Sequence, residues 1–339
     1  MKIIHIGVLG CANVAERSVI PAIKNLPDNF KLIVIASRDY KKAQSFAQKF
    51  NCEPIEGYSN LIKRKDIDAV YIPLPTGLHA EWVNKALFAG KHVYAEKSLA
   101  STFSEAKEMV RNAKTSGLAL MEGYMFQYHS QHQSVMKLIK EGVIGEIRYF
   151  SASFGFPPLL PGNFRYDKII GGGALMDAAG YPLRAAFFIL GNELKVMGAS
   201  VHYDSKSGTS IYGSAYLSGK NGVGASISFG FDNYYQCSYQ LWGSKGKITV
   251  ERAYTPGPDF IPTLIIENVD GKQVVKSTPD NHFQKAFLEF HRIILGEGKE
   301  NQYNDILIQS KSLEEIKIQS QNEIIVQRDS IGEKPIFFT

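Results

Sequence analysis

The stretch KIIHIGVLGCANVA, residues 2–15, decides the fold of this chain. A short apolar run ends at Val8, a small-residue turn around Gly10 follows it, and helical periodicity extends over 14–26. Strand, glycine turn and helix in this order are typical of the loop that holds a dinucleotide pyrophosphate. A plain strand-to-helix turn is the alternative interpretation.

The turn departs from the G-x-G-x-x-G pattern, because Gly10, Ala12 and Ala15 give G-x-A-x-x-A. Alanine is small enough for close approach of a ligand, although it does not adopt positive φ as easily as glycine. We therefore predict cofactor contacts for the whole turn: Gly10, Cys11, Ala12, Asn13 and Val14.

Up to Tyr124, short apolar runs alternate with helical stretches, which predicts an α/β doubly wound parallel sheet of Rossmann type. The predicted strands are 2–8, 31–36, 68–72, 92–95 and 118–121. The predicted helices are 14–26, 40–50, 79–89 and 103–116, the last beginning with a capping box of Thr102 and Glu105. Residues 1–124 form the expected NADP-binding domain.

After Gly145 the pattern changes to strands that alternate polar and apolar residues, which indicates a large, mostly antiparallel, open-faced sheet. The predicted strands are 147–154, 196–203, 210–217, 223–229, 235–242, 247–250 and 264–268. Helical blocks are predicted at 174–190, 283–295 and 305–319. We expect an α+β domain over 125–339.

Composition narrows the possible partners and location of the protein. The net charge of +5 is spread along 339 residues with no basic run longer than Lys63-Arg64-Lys65, which disfavours nucleic acid but not small anions. No segment is apolar enough to span a membrane. Three widely spaced cysteines fit a reduced, cytoplasmic protein.

The end of the second predicted strand indicates which dinucleotide binds. NAD-binding loops usually carry an acidic residue there for the ribose 2′-hydroxyl. Here Ser37 stands at that position, followed by Arg38 and Lys42. A hydroxyl with two cations suits a 2′-phosphate, so NADP(H) is preferred over NAD(H). Ordinary surface cations are the alternative.

The run HVYAEKSLA, residues 92–100, places Glu96 and Lys97 where a predicted strand ends. A fixed cation at this edge suggests carbonyl chemistry, because hydride arriving at a C=O leaves negative charge on oxygen. Further motifs follow in order: YIPLPTGLH at 71–79, EGYMF at 122–126, GGGALMD at 171–177 and GYP at 180–182.

This ordered set resembles the glucose–fructose oxidoreductase, inositol dehydrogenase and rhizopine-catabolism (Gfo/Idh/MocA) family of sugar oxidoreductases over nearly the whole chain. Within it, the motifs look most like the NDP-sugar 3-ketoreductases of deoxysugar pathways. The resemblance implies that the second domain binds substrate and forms a homodimer or homotetramer through its sheet. It implies further that Lys97 is the catalytic lysine and Tyr181 the proton donor, with Asp177 the acid of the same motif. It also implies that Glu96 lies beside the nicotinamide ribose, and that the cofactor cleft is lined by Leu74, Pro75, Thr76 and His79.

Two positions depart from the family pattern. The family usually reads Glu-Lys-Pro, often with a cis peptide before proline, whereas Ser98 follows Lys97 here and leaves the geometry of that peptide open. Many members carry histidine where this chain has Tyr181, which favours the tyrosine-using reductases. If the helix continues through Gly180, Asp177 and Tyr181 share a face, and Lys97 is expected to lower the Tyr181 pKa.

Other candidate residues have weaker support. Arg165 and Tyr124 are predicted substrate contacts, although a structural salt bridge explains Arg165 equally well. His129 and His132 flank a helix start with a second capping box of Ser130 and Gln133; they lack a third ligand, so no metal is predicted.

The sequence favours hydride transfer from NADPH to the C3 ketone of a nucleotide-linked keto-deoxysugar. An NADP-dependent dehydrogenase of a free sugar, similar to xylose or dihydrodiol dehydrogenases, is the first alternative. A non-catalytic NADP-binding regulator is the second.

Overall fold

The computed structural model describes the backbone of residues 2–330 and the side chains of residues 2–321. The first sheet contains β1 (Ile4–Leu9), β2 (Phe30–Ser37), β3 (Glu53–Glu56), β4 (Ala69–Ile72), β5 (His92–Ala95) and β6 (Leu120–Glu122). Its order is β3-β2-β1-β4-β5-β6 with every pair parallel, so the predicted doubly wound sheet is confirmed. The short edge strand β3 reads Glu-Pro-Ile-Glu and lacks the apolar run of its neighbours. It was therefore not predicted from the sequence.

Helices connect these strands on both faces. A π-helical turn, Ala15–Val19, continues into α1 (Ile20–Lys24), and α2 (Tyr40–Phe50), α3 (Tyr58–Ile62), α4 (His79–Phe88) and α5 (Phe103–Thr115) follow. The predicted capping box of Thr102 and Glu105 is confirmed. Five-residue α3 is too short to show a helical period, so it was not predicted.

The second sheet contains β7 (Ile147–Gly155), β8 (Lys195–Tyr203), β9 (Ser210–Ser218), β10 (Gly224–Gly230), β11 (Gln236–Gly243), β12 (Gly246–Val250), β13 (Thr263–Asn268) and β14 (Gly271–Lys276). Its order is β14-β13-β12-β11-β7-β10-β9-β8, and only β7 and β10 pair in parallel. The predicted antiparallel sheet is confirmed. Strand β14 is exposed along its whole length, so it lacks the alternation that marked the other strands.

The predicted single helix over 174–190 is wrong, because the chain forms α7 (Gly173–Asp177) and α8 (Gly180–Leu190) with a break between them. Pro182 has no amide hydrogen to donate to the carbonyl of Ala178, so the first helix cannot run through this point. The break turns the end of α7 toward the first sheet while α8 packs under the second.

The remaining helices are α6 (Ser130–Lys140), α9 (His282–Ile294) and α10 (Lys299–Ser330). The predicted capping box of Ser130 and Gln133 is wrong. His129 caps α6 by accepting from the Gln131 amide at 3.2 Å, because the Ser130 amide donates instead to Asp280 at 2.7 Å.

The C-terminal helix α10 returns across both halves of the molecule. Gln309 on α10 donates to the Gly180 carbonyl at 2.9 Å, and Glu314 accepts from the Phe103 amide at 3.1 Å. It begins earlier than predicted, and residues 331–339 of the expected second domain lie outside the described residues. Within the part of the chain described, none of the helices has the length and apolarity needed to cross a bilayer.

Candidate active site

A cleft of about 630 Å³ opens at the carboxyl ends of β1, β4 and β5, where ligands bind in doubly wound sheets. Of the fourteen predicted cofactor contacts, twelve line it: Gly10, Cys11, Ala12, Asn13, Val14, Arg38, Lys42, Leu74, Pro75, Thr76, Glu96 and Lys97. Asp177 and Arg165 line its inner end. Residues far apart in the chain therefore meet in one cavity.

The turn after β1 depends on Gly10. Its φ of +125° is costly for any residue with a side chain, and an added Cβ would stand 3.0 Å from the Leu74 side chain. The Gly10 amide donates to the Ala36 carbonyl at 2.9 Å, which ties the turn to the end of β2. The absence of a side chain at Gly10 therefore leaves room for a ligand beside the start of the first helix.

Two cations that follow β2 line the cleft, whereas the carboxylate of the nearby Asp39 does not. Arg38 and Lys42 line the cavity. The Asp39 carboxylate caps α2 by accepting from the amides of Lys41 and Lys42, at 2.9 and 3.4 Å. Ser37, a predicted contact, does not line the cleft: it is buried and its hydroxyl accepts from the Asp39 amide at 3.2 Å.

His79, the other predicted contact outside the cleft, is fully buried beneath it. Its Nδ1 lies 2.8 Å from the Ser98 carbonyl oxygen and its Nε2 lies 2.7 Å from that of Leu74. Burial lowers its pKa to about 4. The imidazole therefore braces the loop after β4 against the segment that carries Lys97.

Lys97 and Asp177 form a buried ion pair at the inner end of the cleft. The ammonium donates to Oδ1 and to the carbonyl oxygen of Asp177, both at 2.7 Å. Arg165 Nε lies 2.9 Å from Oδ2, close enough for charge attraction although its N–H does not point at that oxygen. Burial raises the pKa of Asp177, but the two cations outweigh burial and hold that pKa below its usual value.

Glu96 adds a second carboxylate to the same cleft. Its Oε1 accepts from the Tyr71 hydroxyl at 2.8 Å. Burial raises the pKa of Glu96. The two buried carboxylates of the cleft therefore have pKa values shifted in opposite directions.

Tyr181 is buried and does not itself line the cleft. It packs beneath Lys97, whose Nζ is 5.1 Å from the centre of the tyrosine ring. The ring packs among Phe154, Tyr124 and Tyr254, with centroids 4.7 to 5.7 Å away. Burial, followed by the charges of Glu96 and Asp177, raises the Tyr181 pKa well above its ordinary value. The expected lowering by Lys97 is wrong, because burial and these carboxylates dominate.

Tyr124, a predicted substrate contact, does not line the cleft and is almost fully buried. Its hydroxyl lies 3.3 Å from Ser98 Oγ and accepts from Gln309 at 3.3 Å. A Cβ on Gly180 would stand 1.8 Å from that oxygen, so only glycine lets α8 approach the ring. Tyr124 is thus part of the support of the site.

Besides the contact with His79, two further hydrogen bonds hold the segment that carries Lys97. The Lys97–Ser98 peptide is cis. The Ser98 hydroxyl donates to the Met176 carbonyl at 2.8 Å, next to Asp177. The Leu99 amide donates to Glu122 Oε1 at 2.7 Å. Burial raises the pKa of Glu122 to about 7.

Several residues that line the cleft were not predicted from the sequence, because nothing in their spacing marks them. They come from α3 and from the loop before α7, and they are Tyr58, Phe164, Ile170 and Gly171. The Gly77 amide donates to the Ile170 carbonyl at 2.8 Å and ties that loop to the first sheet. Such a contact between distant segments leaves no local sequence signal.

His129 and His132 serve the fold. His132 Nδ1 lies 2.8 Å from the Tyr239 hydroxyl and its Nε2 lies 2.9 Å from the Ala253 carbonyl oxygen. Across residues 2–321, no group of three or more His, Cys, Asp or Glu side chains is arranged to hold a metal ion.

A Rossmann sheet whose cleft ends in a buried lysine–carboxylate pair, with a tyrosine ring packed beneath the lysine, is typical of a dinucleotide-binding oxidoreductase. Residues 4–124 match the oxidoreductase family with an NAD-binding Rossmann fold, and residues 132–249 match the GFO/IDH/MocA C-terminal domain. The chain belongs to the GFO/IDH/MocA oxidoreductase family.

Two relatives resemble the chain over most of its length. The dTDP-3,4-didehydro-2,6-dideoxy-alpha-D-glucose 3-reductase of Saccharopolyspora spinosa is 43% identical over 86% of this chain and 88% of its own. A 3-ketoreductase from Actinomadura kijaniata, solved in complex with NADP and TDP-benzene, is 39% identical with a TM-score of 0.91. That comparison covers 94% of this chain and 98% of the other.

Replacing Glu122 by glutamine is expected to remove a pH dependence of folding. The Glu122 pKa in the folded protein lies above its unfolded value, so its contribution to stability is complete below about pH 4 and is lost as pH rises through 7. Urea unfolding between pH 5 and 8 should show the wild type losing stability relative to Glu122→Gln, whose amide oxygen still accepts from Leu99. Exposed Glu108→Gln should follow the wild type. Parallel profiles for wild type and Glu122→Gln would contradict the assigned pKa.

Proposed function

We propose that this protein is an NADP(H)-dependent reductase that transfers a hydride to the C3 ketone of a nucleotide-linked keto-deoxysugar. The observation that carries the proposal is the buried ion pair of Lys97 and Asp177 at the inner end of the cleft, with the ring of Tyr181 packed 5.1 Å from the lysine Nζ. The two relatives support it, since one is named as a 3-reductase of a dTDP-linked deoxysugar and the other was solved with NADP and a TDP derivative.

The residues of the cleft fit NADP(H). The turn from Gly10 to Val14 would hold the pyrophosphate, and Arg38 and Lys42 would bind the 2′-phosphate. The Asp39 carboxylate caps α2 by accepting from two backbone amides, and Asp39 does not line the cleft. When bound, the dinucleotide supplies the hydride.

Lys97 would hold the ketone oxygen of the sugar. Asp177 takes two of the three N–H donors of the ammonium, which leaves one for the substrate oxygen. A cation fixed in this way stabilises negative charge as it develops on that oxygen. Arg165 is assigned to holding Asp177 and not to a phosphate, because its Nε already lies 2.9 Å from the carboxylate.

Tyr181 would give its proton to the same oxygen. The raised pKa keeps the phenol protonated at neutral pH, so the donor is ready before the hydride arrives. The C=O becomes CH–OH, the hydride adds to carbon, and the phenolate left on Tyr181 regains a proton from water.

Tyr181→Phe should lower kcat by a factor of about 10² to 10⁴, because the ring still packs but the acid is lost. Lys97→Ala should lower kcat similarly, since the developing oxyanion loses its cation. Both are measured by NADPH oxidation with a nucleotide-linked 3-ketosugar. Tyr254→Phe is the matched control, because its ring packs against Tyr181 and its hydroxyl donates to the Ser238 carbonyl; its kcat should stay near wild type. Near wild-type kcat for both Tyr181→Phe and Lys97→Ala would exclude this mechanism.

Arg38→Ala should weaken NADPH binding about tenfold or more and leave NADH binding unchanged, because only NADPH carries the 2′-phosphate. Fluorescence titration with each dinucleotide measures the two dissociation constants. Lys41→Ala is the control, since Lys41 is exposed beside Lys42 but does not line the cleft. An equal loss for NADPH and NADH would place Arg38 away from the 2′-phosphate.

The outer face of the second sheet suggests a homodimer or homotetramer. It exposes Met197, Tyr212, Tyr216 and Trp242, with 45 to 62% of each residue accessible. Apolar surface of this kind is typical of protein interfaces. We also propose a cytoplasmic location, because Cys11, Cys52 and Cys237 are all free thiols.

Calorimetric titration of the NADP-loaded protein with TDP, UDP and GDP tests the substrate class. Selective binding of TDP is expected. Binding of none of the three would favour the free-sugar dehydrogenase, and screening would turn to aldoses. A protein that binds NADPH but oxidises it with no sugar ketone would instead be a regulator.

A further inference from the structure

Helix α10 places one buried amide beside the helix that carries the proposed proton donor. Gln309 is 1% exposed, and its Nε2 donates to the Gly180 carbonyl oxygen at 2.9 Å and to the Tyr124 hydroxyl at 3.3 Å. Because a carbonyl oxygen can only accept, the NH₂ side of the amide has to face Gly180, which fixes the orientation of the side chain. Gly180 directly precedes Tyr181.

The Tyr124 hydroxyl extends this contact to the ion pair of the site. It lies 3.3 Å from Ser98 Oγ, and the Ser98 hydroxyl donates to the Met176 carbonyl oxygen at 2.8 Å. Ser98 directly follows Lys97, and Met176 directly precedes Asp177. One chain of hydrogen bonds therefore reaches a residue adjacent in sequence to each of the three proposed reacting groups.

The side chains of this hydrogen-bond chain are closed off from solvent. Gln309, Tyr124 and Ser98 are each at most 2% exposed, so water does not compete for their hydrogen bonds. A Cβ on Gly180 would stand 1.8 Å from the Tyr124 hydroxyl oxygen, so the backbone of α8 already lies as close to that hydroxyl as sterics allow. The spacing between these segments is therefore well defined.

Helix α10 holds α8 at a second point, one turn further along. The Arg184 guanidinium pairs with Asp305 of α10 and donates to Gln127 Oε1 at 3.1 Å. Gly180 and Arg184 are four residues apart, about one helical turn. Two contacts on successive turns fix the rotation of α8 as well as its position.

The amide of Gln309 is not the best choice for stability alone. Within residues 2–321, no protein group donates a hydrogen bond to its buried Oε1. A buried acceptor without a partner lowers the stability of the folded state. An apolar side chain of the same length would avoid that cost, so the contacts of the NH₂ group explain the glutamine better than stability does.

We infer that Gln309 is a positioning residue for the reduction, which acts through Tyr124 and Ser98 to set the arrangement of Lys97 and Tyr181. The inference rests on the proposed function, in which these two side chains act on one ketone oxygen. Gln309 does not line the cleft, so its effect reaches the reacting groups only through the residues it holds. Reacting groups need support of this kind, because small displacements slow the chemical step.

NADPH oxidation with a nucleotide-linked 3-ketosugar by full-length Gln309→Met tests this role. Methionine keeps the length of the side chain but donates no hydrogen bond. The kcat should fall about 10- to 100-fold, whereas KM and the NADPH dissociation constant should stay near wild type. Gln302→Met is the matched control, because Gln302 lies on the same helix, is buried and donates to the Tyr128 hydroxyl at 3.1 Å; its kcat should stay near wild type.

Tyr124→Phe provides a second variant, which removes the hydroxyl between Gln309 and Ser98 and keeps the ring. It should lower kcat by a similar factor. The double variant Gln309→Met/Tyr124→Phe should lose less than the product of the two single losses, because both substitutions break the same chain of hydrogen bonds. Thermal unfolding with NADP bound establishes that each variant is folded at the assay temperature.

The possible results separate this inference from the proposed function. Wild-type kcat in folded Gln309→Met or Tyr124→Phe would overturn the positioning role and leave the proposed function standing. An equal loss of kcat in Gln302→Met, or losses that multiply in the double variant, would overturn it as well. If the wild-type protein oxidises no NADPH with any nucleotide-linked 3-ketosugar, the proposed function fails and this inference fails with it.

Discussion

The buried ion pair between Lys97 and Asp177 is the interaction on which the site depends. Lys97 follows a strand of the first sheet, and Asp177 ends the helix that leads to the second. Removing one partner of such a pair would leave an uncompensated buried charge, which is costly. The pair therefore fixes the position of the reacting cation relative to the helix that carries Tyr181. The surrounding contacts of His79, Ser98 and Glu122 all hold the segment of Lys97 in this arrangement.

The charged side chains at the two ends of the cleft differ, and each group suits a different part of the proposed reaction. Arg38 and Lys42 stand at its outer end without a free carboxylate beside them. At the inner end, Lys97 pairs with Asp177, and burial together with the charges of Glu96 and Asp177 raises the pKa of Tyr181. The outer end suits a phosphate, and the inner end suits an oxygen that gains negative charge and then a proton. Both requirements belong to a reductase that uses a phosphorylated dinucleotide.

Local patterns in the sequence were sufficient for most of the fold. The strand order follows from alternation of strands and helices, and the turn at Gly10 was recognisable because its backbone demands a residue without a side chain. To predict the break between Asp177 and Gly180, Pro182 has to be given more weight than the apolar periodicity around it. Elements of four or five residues carry too little pattern to be predicted.

The site was predictable where motifs mark it and not where long-range contacts decide. Ser37 and His79 stand at expected positions along the chain, yet neither lines the cleft. Ser37 is buried and accepts from the Asp39 amide two residues later, and His79 is held by the Ser98 carbonyl of a distant segment. The pKa of Tyr181 was misjudged because a sequence does not show which charges reach the ring.

The most direct test of the central claim is NADPH oxidation with dTDP-3,4-didehydro-2,6-dideoxyglucose, compared with the same ketosugar freed from its nucleotide. The account predicts turnover of the nucleotide-linked sugar, a hydroxyl at C3 of the product, and little or no turnover of the free sugar. Equal turnover of both, or reduction at another carbon, would contradict it.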